Sequence, residues 1–247
     1  MYKGTAATLS LLVFGIALSA DLVFTVLDIA SLRIISKPLI VLALLAYFLF
    51  STRAVVSPVK AWVVGALVFS WLGDVLLLFE SRSSLYFILG LSSFLLAQIA
   101  YTVFFQKLRR AGAIGFNALY MAIALVYYAI LITFLFPHLG PMKLPVLVYG
   151  LVISLMLAVA MHLGRLRQKK AAVSIVLGAI FFVLSDSLLA INKFYTSFAG
   201  AALLVMITYG MAQFFIVRGS ILAFQKEGAT EPLTGRKEEL YNDSFTD

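Results

Sequence analysis

Residues 61–79 read AWVVGALVFSWLGDVLLLF, nineteen residues in which Asp74 is the one charged side chain. A helix needs about 20 mostly apolar residues to cross the hydrocarbon core of a bilayer, and roughly 17 at the short end. The segment is long enough for one crossing, and its continuous apolar sequence lacks the alternation typical of a membrane β-barrel strand. It therefore predicts a transmembrane helix that carries an acid in its second half.

Seven other segments have the same length and character. With residues 61–79 they give eight predicted spans, at residues 5–27, 34–50, 61–79, 85–106, 114–136, 144–163, 171–191 and 196–224. We expect residues 1–224 to form an eight-helix transmembrane domain and residues 225–247 to form a flexible cytoplasmic tail. Leu18-Ser19-Ala20 resembles a signal-peptide cleavage site, but the apolar sequence continues to Phe24, which favours a retained helix.

The composition agrees with this interpretation. Of 247 residues, 63% are hydrophobic and 12% are charged, and the mean hydropathy is +1.05, whereas soluble domains are roughly 45–50% apolar and about 25% charged. The excess excludes an ordinary cytosolic enzyme, a nucleic-acid-binding domain and a disordered protein. We predict an all-α integral membrane protein. Because the chain has no cysteine, disulfides, thiolate nucleophiles and cysteine metal sites are excluded.

The basic residues are distributed unevenly between the predicted loops. The membrane face with the N-terminus, the even-numbered loops and the tail has 14 of the 19 Lys and Arg residues at or near it. The other face has five, which are Arg33, Lys37, Arg82, Lys143 and Lys193. The positive-inside rule then places both termini in the cytoplasm. If the chain is bacterial, we expect it in the inner (plasma) membrane.

A weak repeat relates the two halves of the chain. Gly73-Asp74 and Ser185-Asp186 are each followed by one further residue and then by Leu-Leu. In each half, the next predicted span contains an Ala-Gln pair, which ends in Gln98 or Gln213. The spacing predicts two parallel four-helix repeats.

The charged residues of the spans gather in one layer. Asp74 and Asp186 fall at similar depths in the outer third of the predicted membrane, near Lys37, Asn192 and Lys193. An Asp at a helix centre costs about 2.5–3.5 kcal/mol on insertion scales. The two acids form either structural contacts between helices or a general acid and base in which one carboxyl is protonated and the other is ionised.

Other polar residues have less specific interpretations. Lys37 either extends to the interface or holds an anionic headgroup. We interpret Asp21, near the predicted interface where solvation is cheap, as structural. Further polar side chains in or near the spans either bond neighbouring helices or contact substrate: Gln98, Tyr101, Tyr149, Tyr209 and Gln213. His138 and His162 fall at opposite membrane faces and cannot share a metal, so we predict no metal and no cofactor.

Several of these stretches together are similar to a known family. They are Ser36-Lys37-Pro38-Leu39, Leu72-Gly73-Asp74, residues 94–101 (FLLAQIAY), residues 185–194 (SDSLLAINKF) and residues 208–213 (TYGMAQ). Over residues ~30–220 the chain resembles the YhhN-like lysoplasmalogenase family. The resemblance implies an eight-span hydrolase that cleaves the vinyl ether bond of lysoplasmalogens, releasing a fatty aldehyde and glycerophosphocholine or glycerophosphoethanolamine.

The resemblance also implies roles for the polar layer. Asp74 and Asp186 would be catalytic, and Lys37, Asn192, Lys193, Tyr209 and Gln213 would line the site. Gln98 stands where many relatives have histidine, so it can hydrogen-bond but cannot shuttle protons. The expected partners are a lysophospholipid substrate and membrane lipids, without nucleic acid. Two alternatives stay open: a transporter or lipid-binding protein with a proton-coupled carboxylate relay, and a metal-dependent intramembrane amide hydrolase.

Overall fold

A computed structural model of the chain describes residues 4–227, and side chains up to residue 225. The helices are α1 (Thr5–Val26), α2 (Ala30–Ser51), α3 (Lys60–Leu77), α4 (Ser84–Ala111), α5 (Ala118–Leu135), α6 (Lys143–Leu163), α7 (Lys169–Ala190) and α8 (Ala201–Glu227). Each lies in a segment that is long and apolar enough to cross a membrane, and the described residues contain no strand. The prediction of an all-helical, eight-span membrane protein is confirmed. The predicted tail lies, from residue 228 onward, outside the described residues.

Some helix ends differ from the predicted spans because hydropathy locates the apolar core of a span and not the end of its helix. α4 continues to Ala111, with Arg109 and Arg110 in its last turn, where cations interact favourably with the helix dipole. α5 begins only at Ala118, because Asn117 caps it by accepting a hydrogen bond from the Leu119 amide at 2.9 Å.

The end of α7 is unusual. The helix passes directly into a π-helical turn, Ile191–Tyr195, and a short loop precedes α8. The eighth helix therefore begins at Ala201 rather than at residue 196. π-helical turns are rare and occur often at functional sites.

Small residues allow the closest helix packing. A Cβ atom added to Gly178 of α7 would lie 2.7 Å from the Ile216 backbone nitrogen, and one added to Gly219 of α8 would lie 2.9 Å from the Ile175 backbone nitrogen. Helices in a bilayer gain no hydrophobic free energy from association, so such close backbone contact is a main source of their affinity. The α7–α8 pair is consequently held in one register.

The two halves of the bundle along its axis have different interiors. Phe48, Phe104, Phe105 and Phe224 are fully buried near the C-terminal ends of α2, α4 and α8, and the Phe104 and Phe224 rings lie 5.8 Å apart. The opposite, polar half contains Lys37, Asp74 and Asp186. Aromatic packing therefore fixes the scaffold at one end and leaves the other end for a site.

Candidate active site

A cavity opens in the polar half of the bundle. Residues from α2, α3, α4, α6, α7, α8 and the π-helical turn line it: Lys37, Asp74, Leu77, Phe87, Leu91, Phe94, Val146, Tyr149, Ser185, Asp186, Leu189, Ala190, Lys193, Phe194, Val205, Met206 and Tyr209. Most of these side chains are apolar, and the few polar ones converge from separate helices. Such a lining is typical of a small-molecule site.

Asp74 is held by two partners on other helices. The Tyr209 hydroxyl of α8 donates a hydrogen bond to Asp74 Oδ2 at 2.8 Å, and Lys37 Nζ of α2 lies 3.9 Å from Asp74 Oδ1. Only 2% of Asp74 is exposed. The lysine lies close enough to compensate the charge of this buried carboxylate.

The local sequence helps to place this carboxylate. Gly73 leaves room for the Phe94 ring, because a Cβ atom there would lie 2.6 Å from it. Phe94 in turn packs edge-on against the Tyr209 ring, with centroids 5.7 Å apart. The small residue before Asp74 therefore lets α4 approach and support the tyrosine that holds the acid.

Asp186 has a different environment. The Tyr149 hydroxyl of α6 donates a hydrogen bond to Asp186 Oδ2 at 2.5 Å. Among the described residues no Lys or Arg nitrogen lies within 4 Å of this carboxyl. Each acid thus has its own tyrosine donor, but only Asp74 has a Lys or Arg nitrogen within 4 Å among the described residues.

Several predicted site residues lie behind the lining. The Gln213 amide donates to the Tyr209 hydroxyl at 3.2 Å, and the Tyr101 hydroxyl donates to Gln213 Oε1 at 2.8 Å. These two residues and Gln98 are fully buried. Neither side-chain polar atom of Gln98 has a hydrogen-bond partner within the described part of the chain.

The predicted residues therefore fall into two groups. Lys37, Asp74, Tyr149, Asp186, Lys193 and Tyr209 line the cavity, whereas Gln98, Tyr101, Asn192 and Gln213 do not. Asn192 instead accepts a hydrogen bond from the Phe198 amide at 3.3 Å and so fixes the loop before α8.

Lys193 has a partner that the sequence did not indicate. Its Nζ lies 3.2 Å from Glu80 Oε2 and 4.7 Å from the centre of the Phe87 ring. Glu80 follows α3, and its spacing from Lys193 along the chain carries no signal that they meet. The ion pair joins the ends of α3 and α7 beside the cavity, with 40% of the lysine and 39% of the glutamate side chain exposed.

Asp21 differs from its prediction in one respect. Its place near the interface predicted easy solvation, but it is fully buried. Asp21 Oδ1 accepts from the Ser36 hydroxyl at 2.8 Å and lies 3.4 Å from Arg33 Nε. The acid is shielded because α1 packs against α2, so the statement about solvation is wrong.

The histidines take part in separate contacts. His162 Nε2 accepts a hydrogen bond from the Asn117 amide at 3.0 Å, at the end of the bundle opposite the cavity. No group of three or more His, Asp or Glu residues between 4 and 225 is arranged to hold a metal ion. The polar groups of the cavity are carboxyls, phenols, amines and the hydroxyl of Ser185.

Comparison with known proteins identifies the family of this chain. A model of the YhhN family matches residues 32–220. The chain belongs to the YhhN family. The matched region begins within α2, so α1 lies outside it. No solved structure matches this YhhN-family protein.

Curated relatives of this YhhN-family protein share a name. It is 32% identical over 177 residues to the lysoplasmalogenases of Mycobacterium bovis and Mycobacterium tuberculosis, covering 69% of this chain and 66% of each relative. It is 31% identical over 158 residues to lysoplasmalogenase TMEM86B of Rattus norvegicus, covering 64% of this chain and 60% of the relative. The matches thus span about two thirds of the relatives' own length.

Proposed function

We propose that this chain hydrolyses the vinyl ether bond of a lysoplasmalogen to a fatty aldehyde and a glycerophospho-alcohol. One observation carries the proposal: two carboxyls from α3 and α7, each held by a tyrosine hydroxyl, line the same mostly apolar cavity. Membership of the YhhN family and relatives named lysoplasmalogenases support it.

The reaction needs an acid and a base but no metal. Proton transfer to the β-carbon of the vinyl ether uses the double-bond electrons and leaves an oxocarbenium ion at the α-carbon. Water adds to that carbon and loses a proton to a base, and the resulting hemiacetal breaks its C–O bond to give aldehyde and alcohol. A protonated and an ionised carboxyl supply both proton transfers, as the paired carboxyls of glycosidases do.

The different partners of the two acids suggest how they divide this work. Asp74 faces Lys37 and a tyrosine donor, an environment suited to a carboxylate that stabilises the oxocarbenium ion and accepts a proton from water. Asp186 has only a tyrosine donor and no cation within 4 Å among the described residues, so we assign it as the proton donor. Tyr209 and Tyr149 orient the two groups.

The remaining predicted residues take binding or supporting roles. Lys37 and Lys193 line the cavity, where each would bind a phosphate in addition to its carboxylate partner, Asp74 or Glu80, through charge-assisted hydrogen bonds. Gln98 lies behind the lining. Tyr101 and Gln213 support Tyr209 through their hydrogen bonds, and Asn192 fixes the loop before α8. In this proposal they position residues and do not contact substrate.

We also infer the orientation of the protein. The cavity lies at the end of the bundle that carries the odd-numbered loops, and five of the 19 basic residues lie at this end. The positive-inside rule therefore places the cavity in the outer leaflet and both termini in the cytoplasm. Because the chain has no cysteine, single-cysteine variants with an impermeant maleimide would test this orientation directly.

Purified protein and a defined 1-alkenyl-lysophosphatidylethanolamine test the activity. Aldehyde release is followed by coupled NADH oxidation, and the glycerophospho-alcohol product is identified by mass spectrometry. Saturable lysolipid binding without aldehyde release would contradict the proposed hydrolysis and favour the lipid-binding or transport alternative.

A further inference from the structure

A groove on the lipid-facing surface adjoins the cavity. It lies between the first halves of α4 and α6 and is lined by Ile88, Leu91, Ser92, Leu95, Leu144, Pro145, Val148 and Tyr149. Leu91 and Tyr149 also line the cavity that contains the two carboxyls. The groove and the cavity therefore share a wall on both helices.

The groove is apolar and open to the side. Its rim residues Ile88, Val148 and Leu144 are 37%, 42% and 72% exposed. Its two hydroxyls already have partners: Ser92 donates to the Ile88 carbonyl at 2.8 Å, and Tyr149 donates to Asp186 Oδ2 at 2.5 Å. A hydrocarbon chain in this groove would therefore leave no polar group without a partner.

We propose that this groove holds the alkenyl chain of the lysolipid and is the lateral route between bilayer and cavity. The inference rests on the proposed function. The chain-binding site is the groove between α4 and α6, and Leu91 and Tyr149 form the end of the groove next to the cavity.

Tyr149 gives the groove its link to the chemistry. Its hydroxyl donates to Asp186 on the cavity side, while its side chain also borders the groove. A lysolipid whose vinyl ether lies at Asp186 has its next carbons beside Tyr149, and the chain then continues between Leu91 and Val148. The headgroup stays at the end that contains Lys37 and Lys193.

The energetics favour an open groove over a closed pocket. A lysolipid chain comes from hydrocarbon, so enclosing it in protein adds no hydrophobic free energy. A lateral groove lets the distal carbons remain among lipid tails while the first carbons are aligned with the carboxyls.

A second groove provides an internal comparison. It lies between α1 and α2, is lined by residues such as Ile16, Phe24 and Leu39, and is equally apolar. None of its lining residues lines the cavity. A chain that simply adsorbs to apolar grooves would occupy both.

Photo-crosslinking tests the location without any hydrolysis. The probe is a 1-alkyl-lysophosphatidylethanolamine, which has no vinyl ether and carries a diazirine near the start of its chain, added to the full-length protein in nanodiscs. We expect saturable labelling at Leu91, Leu95 or Val148, competed by unlabelled lysolipid. Saturable labelling in the α1–α2 groove, or labelling of α4 and α6 that no lysolipid competes, would overturn the inference.

Substitutions at adjacent positions test the function of the groove. Leu95 lines it, whereas its neighbour Leu96, 45% exposed, does not. We expect Leu95→Phe to lower the ratio of kcat/KM for a 16-carbon chain to that for an 8-carbon chain by about tenfold, the size typical of small changes in a hydrophobic pocket. Leu96→Phe should leave this ratio unchanged, and an equal change in both variants would contradict the proposal.

Val148→Phe and Leu151→Phe repeat the comparison on α6, because Val148 lines the groove and Leu151 does not. The crosslinking result separates the two proposals. Competed labelling of the groove without aldehyde release would leave the chain site standing and contradict the hydrolysis. Aldehyde release with labelling elsewhere would do the reverse.

Discussion

Replacing Tyr209 with phenylalanine removes one hydroxyl from the most connected part of the site. That hydroxyl donates to Asp74 at 2.8 Å and accepts from the Gln213 amide at 3.2 Å. The ring remains packed between Phe94 and Phe182, each with its centroid 5.7 Å from that of Tyr209. The substitution therefore changes hydrogen bonding and leaves the packing intact.

The size of the effect follows from these contacts. A hydrogen bond to a charged group contributes about 1.5–3 kcal/mol, and each 1.36 kcal/mol of barrier is tenfold in rate. If Asp74 must be oriented when water attacks, kcat/KM should fall by about 10- to 150-fold, mostly through kcat. The Gln213 amide also loses its partner, so the protein should lose about 1–3 kcal/mol of stability.

The assay is aldehyde release by purified Tyr209→Phe protein, with thermal unfolding in detergent to confirm that it is folded. Tyr128→Phe is the matched control, since its hydroxyl donates to the Leu147 carbonyl at 3.2 Å outside the cavity. Equal activity in the two variants would refute the assignment of Tyr209 as the group that orients Asp74.

Three further predictions concern stability. Gly178→Ala should have a much lower unfolding temperature than Gly65→Ala, because a Cβ atom at Gly178 meets the Ile216 backbone whereas one at Gly65 has nothing within 4 Å. Equal unfolding temperatures in the two variants would contradict the packing argument. Asp21→Ala should destabilise by about 3–5 kcal/mol, measured by unfolding in mixed micelles, because it leaves the partly buried Arg33 without its counter-ion; a neutral effect would show that this ion pair contributes nothing. Glu80→Gln should change stability by less than about 1 kcal/mol in the same assay, since its ion pair is partly exposed, and a larger loss would mean that this contact closes the bundle.

The sequence predicts the helices of this protein better than their contacts. A continuous run of apolar residues such as 61–79 is enough to predict a span, because a bilayer demands an apolar helix of fixed length. The same physics does not specify which helices become neighbours. Tyr209 meets Asp74 across 135 positions of the chain, and no local pattern around either residue contains that pairing.

The charged residues of the candidate site could be predicted from the sequence, but which polar residues line the cavity could not. Asp74, Asp186, Lys37 and Lys193 are conspicuous because ionisable groups in a membrane are costly, and all four line the cavity. Gln98 is conspicuous because an uncharged polar side chain is also costly to bury, yet it lies fully buried behind the lining. Whether a polar residue faces a cavity or a neighbouring helix depends on how the bundle is rotated, which hydropathy does not record.

Aldehyde release from a purified 1-alkenyl-lysophospholipid by the wild-type protein and its carboxyl variants tests the central claim most directly. We expect wild-type protein to release aldehyde, and Asp74→Asn and Asp186→Asn each to lower kcat by at least about 100-fold, the lower range of general acid–base contributions, while both variants still bind the alkyl analogue. Wild-type rates in either folded variant would contradict the assignment of these two carboxyls as acid and base.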